Sequence, residues 1–234
     1  MAGIPSLNQL RNFAVNRAGA EGIRQTLFDH LLYPAAGTAQ LLFFSQPKGQ
    51  GVTTAQGAAV GGVKSIADTN MELSGQLAAG KAFCATSIEA VFYAGSSAAA
   101  NTFALANPAQ FNAVAAAAVA AQVADVNAFY QSGSLRFFIG SKAYLEEAPL
   151  MRFPPKVAFQ MDAALSTNSA TVGEIAAINA KAVGRPYMLE PQILLENGQN
   201  FAIELNYPGA VAMPSGFNAR VGIILDGYLY RNSQ

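Results

Sequence analysis

The sequence predicts an all-β chain: two packed sheets, with a helical segment ahead of them and a second helical segment inserted among the strands. Three observations carry this expectation. The run "NFAIELNY" alternates, with Phe201, Ile203, Leu205 and Tyr207 on one side and Ala202, Glu204 and Asn206 on the other. That is the period of a strand with one buried face. The runs "KAFCATSIEAVFYA" and "RVGIILDGYLYR" are apolar on both faces or nearly so, as strands inside a sandwich are. Finally, only 12% of the 234 residues are charged, while 52% are hydrophobic, much of that alanine. An ordinary soluble domain carries about 25% charge. A surface this poor in charge is expected either to be covered by neighbouring subunits or to be dressed with Gln, Asn and Ser.

Taken in order, residues 5–33 read as helical. Leu7, Leu10, Phe13 and Ala14 follow three-and-four spacing, and Ser6 is a candidate N-cap. Gly19 and Gly22 are expected to split this stretch, with Ile23, Leu27, Phe28 and Leu31 on a second helix that Pro34 and Gly37 end. "TAQLLFFSQP" from Thr38 is the first strand, and the Gly-rich stretch 49–62 is a loop long enough to be mobile or functional. "KSIADTNMELSGQL" alternates and reads as a second strand, and Phe83–Tyr93 as a long buried one. "NPAQFNAVAAAAVAAQVADVNAFYQ" is a helix, with Asn107 as N-cap, Pro108 at the first helical position and Gly133 as its end. Phe111, Val114, Ala118, Val119 and Val123 are expected on its buried face. "SLRFFIGSKAYL" returns to β structure with Leu135, Phe137 and Ile139 on one side. "EEAPLMRFPPK" is a loop, because its paired prolines exclude a central strand. "VAFQMDAAL" is a short strand, and 166–185 a long loop with a helical turn near Glu174. Pro191 interrupts "YMLEPQILLENG", which makes it an edge strand or a bulged one. "ARVGIILDGYLYR" closes the series with Val221, Ile223 and Leu225 on one face, and is expected to run through the centre of a sheet.

This organisation predicts a helical arm at 1–36 and a single β domain at 37–234, with the helical insertion at about 96–131. About eight unequal strands joined by long connections describe a jelly-roll sandwich. The two halves show no internal repeat, which disfavours a tandem double roll.

Chemistry is sparse, and no catalytic, cofactor-binding or metal-binding residues are assigned. His30 is the only histidine, and without a G-x-S-x-G elbow no triad is indicated; it is expected to be exposed or partly packed on the arm. Cys84 is the only cysteine and is read as a small buried hydrophobe. Zinc sites built from Cys and His are excluded by counting. "GAAVGGVKS" resembles a phosphate loop, but Val63 stands between Gly62 and Lys64, where the pattern needs the lysine directly. Glu146 and Glu147 are adjacent, so in extended chain they point to opposite sides and form no catalytic pair. Nothing selects a distant pair such as Asp162 and Glu204 for glycosidase chemistry. Tyr228 and Tyr230 are expected opposite Leu229, as interface or core aromatics. Net charge is zero, and residues 1–36 carry Arg11, Arg17 and Arg24 against Glu21 and Asp29. With no basic cluster, direct nucleic-acid binding is not expected. The N-terminus lacks the apolar core of a signal peptide, and "AVAAAAVAAQVA" is too short and weakly apolar to span a bilayer.

The arm "SLNQLRNFAVNRAG", the strand series from "AQLLFFS" to "RVGIILDGYLYR" and the helix-bearing insertion between them cover nearly the whole chain. In these features the chain resembles the jelly-roll coat proteins of small icosahedral viruses, tailless bacteriophages in particular. The resemblance implies a major capsid subunit without enzymatic activity, made in a bacterial cytoplasm and located in the virion. Its partners would be copies of itself in a symmetric shell, with other virion proteins or an inner layer. The near-neutral arm departs from the basic arms of many RNA-virus coats and fits a shell lined by another layer. The arm at 1–36, the Gly-rich loop 49–62, the insertion 96–131 and the loop 166–185 are the expected contact elements. Two other readings remain open: a tailed-phage type shell protein with the Ala-rich helix as its spine, and a carbohydrate-binding sandwich of a spike or fibre.

Overall fold

The computed structural model describes residues 20–59, 61–95, 113–156, 158–168, 171–181 and 184–232. Among these, β1 (Ala20–Tyr33), β2 (Gln40–Phe43) and β3 (Lys81–Tyr93) come first, followed by a helix, α1 (Ala113–Ser132). The chain continues with β4 (Ser134–Ile139), β5 (Lys142–Glu147), β6 (Ala158–Asn168) and β7 (Thr171–Lys181). It closes with β8 (Tyr187–Leu195), β9 (Phe201–Asn206) and β10 (Ala219–Asn232). The fold is mostly β, with two four-stranded antiparallel sheets ordered β1-β10-β3-β8 and β2-β9-β4-β5. β6 and β7 pair with each other as a separate ribbon.

The pairing has a simple logic. β4 pairs with β5, β3 with β8, β2 with β9 and β1 with β10, all antiparallel. These are the nested rungs of one long hairpin whose first half is β1 to β4 and whose second half is β5, β8, β9 and β10. Two further pairings, β10 with β3 and β9 with β4, join the rungs side by side into two sheets. β10 therefore lies inside its sheet, between β1 and β3, as its largely apolar sequence requires. β8 lies at the edge, where Pro191 costs no ladder bond, and its register with β3 shifts between Ala85 and Ser87. A second irregularity falls at Asp226 and Gly227. A Cβ on Gly227 would lie 2.0 Å from the Cys84 carbonyl oxygen, so only glycine lets the two backbones meet there.

One core fills the space between the sheets. Leu27 and Tyr33 of β1, Phe83 and Ile88 of β3 and Val221, Ile223 and Leu225 of β10 face it from one side. Phe43, Leu135, Phe137, Phe201, Ile203 and Leu205 face it from the other. The alternation read in β4, β9 and β10 thus marks buried faces. Ala-rich α1, a good helix former by composition, ends before Gly133 as expected. Its fully buried Phe129 lies 4.7 Å from the Phe92 ring and 6.3 Å from that of Tyr33, closing one end of the core.

Several expectations are overturned. Residues 20–33 are a strand, not the second helix of an arm: fourteen rungs to β10 outweigh a helical spacing that Ile23, Leu27 and Leu31 also satisfy. Residues 5–19 lie outside the described residues, as do the Asn107–Pro108 cap and Phe111. Val123 is 56% exposed, and Gln122, Asp125 and Phe129 take the buried face of α1 instead. "KSIADTNMEL" is not a strand; Ser65 to Asp68 turn, and Thr69 makes an isolated bridge to Asp29. The expected loop at 166–185 instead contains β7, held in full register by β6.

Candidate functional site

The densest polar arrangement in the described residues lies where the loop between β2 and β3 meets β1. Leu27, Asp29, Leu31 and Tyr33 alternate toward the core side of β1, so Asp29 points inward. Its carboxylate is fully buried, 2.6 Å from the equally buried Lys64 Nζ, and also accepts the Phe44 N–H at 2.7 Å. Thus the lysine of the phosphate-loop look-alike is committed to an ion pair. Asp68 is buried too. It accepts the Thr53 hydroxyl at 2.7 Å, the Thr54 N–H at 2.7 Å and hydroxyl at 2.9 Å, and the Ser65 N–H at 2.9 Å. Arg220 of β10 lies 4.0 Å from Asp68 and donates to Thr54 Oγ1 and the Ala67 carbonyl.

The same loop covers the open edge of β1. The His30 N–H donates to the Asp68 carbonyl at 2.8 Å, Asn70 N–H donates to the Phe28 carbonyl, and the Asn70 side chain donates to the Thr26 carbonyl. Unpaired strand edges are templates for aggregation, and a covering loop blunts this one. His30 is buried, contrary to expectation, and packs near Phe28 and Tyr93 with ring centroids at 5.9 and 6.2 Å. Its Nδ1 lies 3.1 Å from the Asp68 carbonyl oxygen. That oxygen can only accept, so Nδ1 carries the proton of the neutral ring. Gly222 stands opposite His30 on β10, and a Cβ there would come within 2.4 Å of the imidazole.

Burial, with the charges of Arg220 and Lys64, lowers the His30 pKa to about 4. Burial raises the Asp29 carboxyl, while the Lys64 charge and its hydrogen bond pull the other way. Burial would also raise Asp68, but its hydrogen bonds from Ser65, Thr53 and Thr54 outweigh this and bring it to about 2. These groups are bound to one another, and the chemistry they perform is to fasten the loop. Sequence reasoning missed the set. The available clue was two adjacent titratable residues, Asp29 and His30, inside the apolar run "LFDHLLY".

The other singled-out residues do not converge. Cys84 is buried, 3.3 Å from Gln192 Oε1, and burial pushes its thiol up to about 11. Glu146 pairs with Arg136, whereas Glu147 pairs with Arg152 and accepts from Tyr187. Glu204 sits beside Arg136 on β9, and Asp162 is on the ribbon. Tyr228 and Tyr230 are half-buried on the face opposite Leu229. Among the described residues no group of three or more His, Cys, Asp or Glu is placed to hold a metal ion, and no helix is long and apolar enough to cross a membrane.

Two surface features remain. Val52, Val63 and Ile66 are 52%, 60% and 61% exposed on the loop whose inner side is latched. The β6–β7 ribbon leaves the body at Lys156, whose N–H donates to Glu89 Oε2 at 2.6 Å and whose ammonium pairs with Asp226. Comparison with family models, curated proteins and solved structures finds no match to this chain. The site therefore has to be judged on its own geometry: a rigid sandwich, a latched loop with an aliphatic outer surface, and a two-stranded ribbon fixed at its root.

Proposed function

We propose that this chain is a structural virion protein, a capsid subunit that self-assembles into an icosahedral phage shell. In this reading the two sheets form a jelly roll, the chain has no catalytic role, and its partners are further copies of itself. It is made in a bacterial cytoplasm and resides in the virion. The observation that carries the reading is the strand order. Four nested antiparallel pairs, rolled so that β10 meets β3 and β9 meets β4, are the connectivity of an eight-stranded double-sheet roll. Many functions use such scaffolds, so the low charge of 12% and the zero net charge supply the second support. They suit a surface that is largely covered by neighbours and copies that do not repel.

Sedimentation velocity of the purified chain tests this across protein and salt concentration. Closed particles, or one uniform ring such as a pentamer, are the expected species. A monomer under every condition contradicts the reading, and glycan binding by such a monomer would favour the carbohydrate-binding alternative.

A further inference from the structure

We propose that Lys64 and Asp29 condense in the folded chain to an amide, a covalent cross-link that locks the loop between β2 and β3 onto β1. The inference is independent of the shell reading.

Three lysine–carboxylate pairs occur among the described residues. In Lys81–Glu72 and Lys156–Asp226 both side chains keep part of their surface in water. Such groups stay ionised, and an ammonium has no lone pair with which to attack. Lys64–Asp29 differs, because both side chains are 0% exposed. Burial withdraws the water that keeps an ammonium and a carboxylate charged. A proton passing from Nζ to the carboxyl then turns the ion pair into a neutral amine and a neutral acid, the forms that react. Burial raises the Asp29 carboxyl accordingly, although the Lys64 charge and its hydrogen bond act against it.

The partners are also held in place. Lys64 N–H donates to the Gln50 carbonyl at 3.3 Å, and the Lys64 carbonyl accepts the Gly49 N–H at 2.8 Å. Asp29 sits within the β1–β10 ladder and bridges to Thr69. Lys64 Nζ lies 2.6 Å from Asp29 Oδ1. Cγ is one bond beyond that oxygen, so the amine is held close to the separation of about 3–3.5 Å from which bound groups react. The other oxygen, Oδ2, accepts the Phe44 N–H at 2.7 Å. A backbone N–H in that position stabilises the charge that develops on the oxygen during attack.

The step balances without any other reactant. The first proton moves from Nζ to Oδ1. The Nζ lone pair attacks Cγ, and the C=O electron pair moves onto Oδ2. A second proton passes from Nζ to Oδ1, and the Thr69 side chain, which also hydrogen-bonds this carboxyl, can relay it. The Cγ–Oδ1 bond then breaks, water leaves and the Cγ=Oδ2 bond re-forms. One N–C bond has replaced one C–O bond, and nothing is oxidised or reduced. The amide carbonyl keeps the Phe44 N–H, and two buried charges become none. Hydrolysis would need a water that the buried site excludes. The link closes a ring from residue 29 to residue 64, so the loop can no longer swing off the edge of β1.

Intact-mass spectrometry of the full chain reads the reaction directly. The purified protein is held folded at pH 7 until its mass is constant, then denatured. The expected mass is that of the sequence less one water. Trypsin should then leave residues 25–48 and 49–81 as one joined peptide with Lys64 uncut, because an acylated lysine is not a cleavage site. Lys64→Arg and Asp29→Ala should each keep the full sequence mass and release the two segments separately. An unaltered chain that stays at its full sequence mass and is cut after Lys64 overturns the proposal. So does a lost water that tandem spectra place elsewhere, as in a succinimide at Asp226–Gly227, or one that either variant still loses. The deciding measurement is made on the unaltered chain, so it does not depend on either variant folding.

Discussion

Lys64 and Asp29 show how much a single buried charge can depend on its neighbour. Both side chains are fully buried, and their 2.6 Å contact ties the loop to β1. Removing one partner leaves the other charge uncompensated, which typically costs about 3–5 kcal/mol. Lys64→Met should lower the urea midpoint accordingly and open the 48–76 loop to protease, while Lys48→Met, at an exposed position, should do neither. His30 gives the pH dependence. Its folded pKa of about 4 lies below the ordinary 6.5, so between these values the unfolded chain binds a proton that the folded chain does not. Stability is therefore full above pH 6.5 and falls as the pH drops toward 4, by about 3 kcal/mol in all. Asp68, at about 2, adds a further loss below pH 4. Denaturant titrations at stepped pH should show this slope, and His30→Gln should flatten it between 6.5 and 4. A parent chain equally stable at pH 7 and pH 4.5 would refute the buried neutral histidine.

At the scale of elements, α1 closes the core through one aromatic side chain. Phe129→Ala should cost about 3–5 kcal/mol by cavity formation, visible in a thermal melt, whereas Val123→Ala on the exposed side should cost little. The legible elements were those in which one signal had no competitor. β9 alternates strictly, β4 nearly so, β3 and β10 are largely apolar on both faces, and Pro191 marks an edge. β1 was misread because Ile23, Leu27 and Leu31 suit a helix as well as a strand, and only its long pairing with β10 decides. β7 was missed because "TVGEIAAINAK" is rich in Ala and carries a Gly, both weak strand formers; its β6 partner supplies the register. "KSIADTN" failed the other way: it alternates, yet Asp68 draws local N–H and hydroxyl groups into a turn. The latch as a whole was illegible, since its members come from β1, the loop and β10, and pair only in three dimensions.

For the whole molecule, the sheets divide labour with the loops. The open edge of β1 is covered by residues 68–70, and β8, the other edge of that sheet, contains Pro191. These features discourage uncontrolled strand addition. The body between these protected edges carries no net charge. Covered edges and zero net charge are compatible with the proposed role as a subunit of a closed assembly. Electron microscopy of the purified full chain, negatively stained at pH 7, tests this most directly. The account predicts closed shells or rings of one symmetry. A field of dispersed single subunits at every concentration would contradict it.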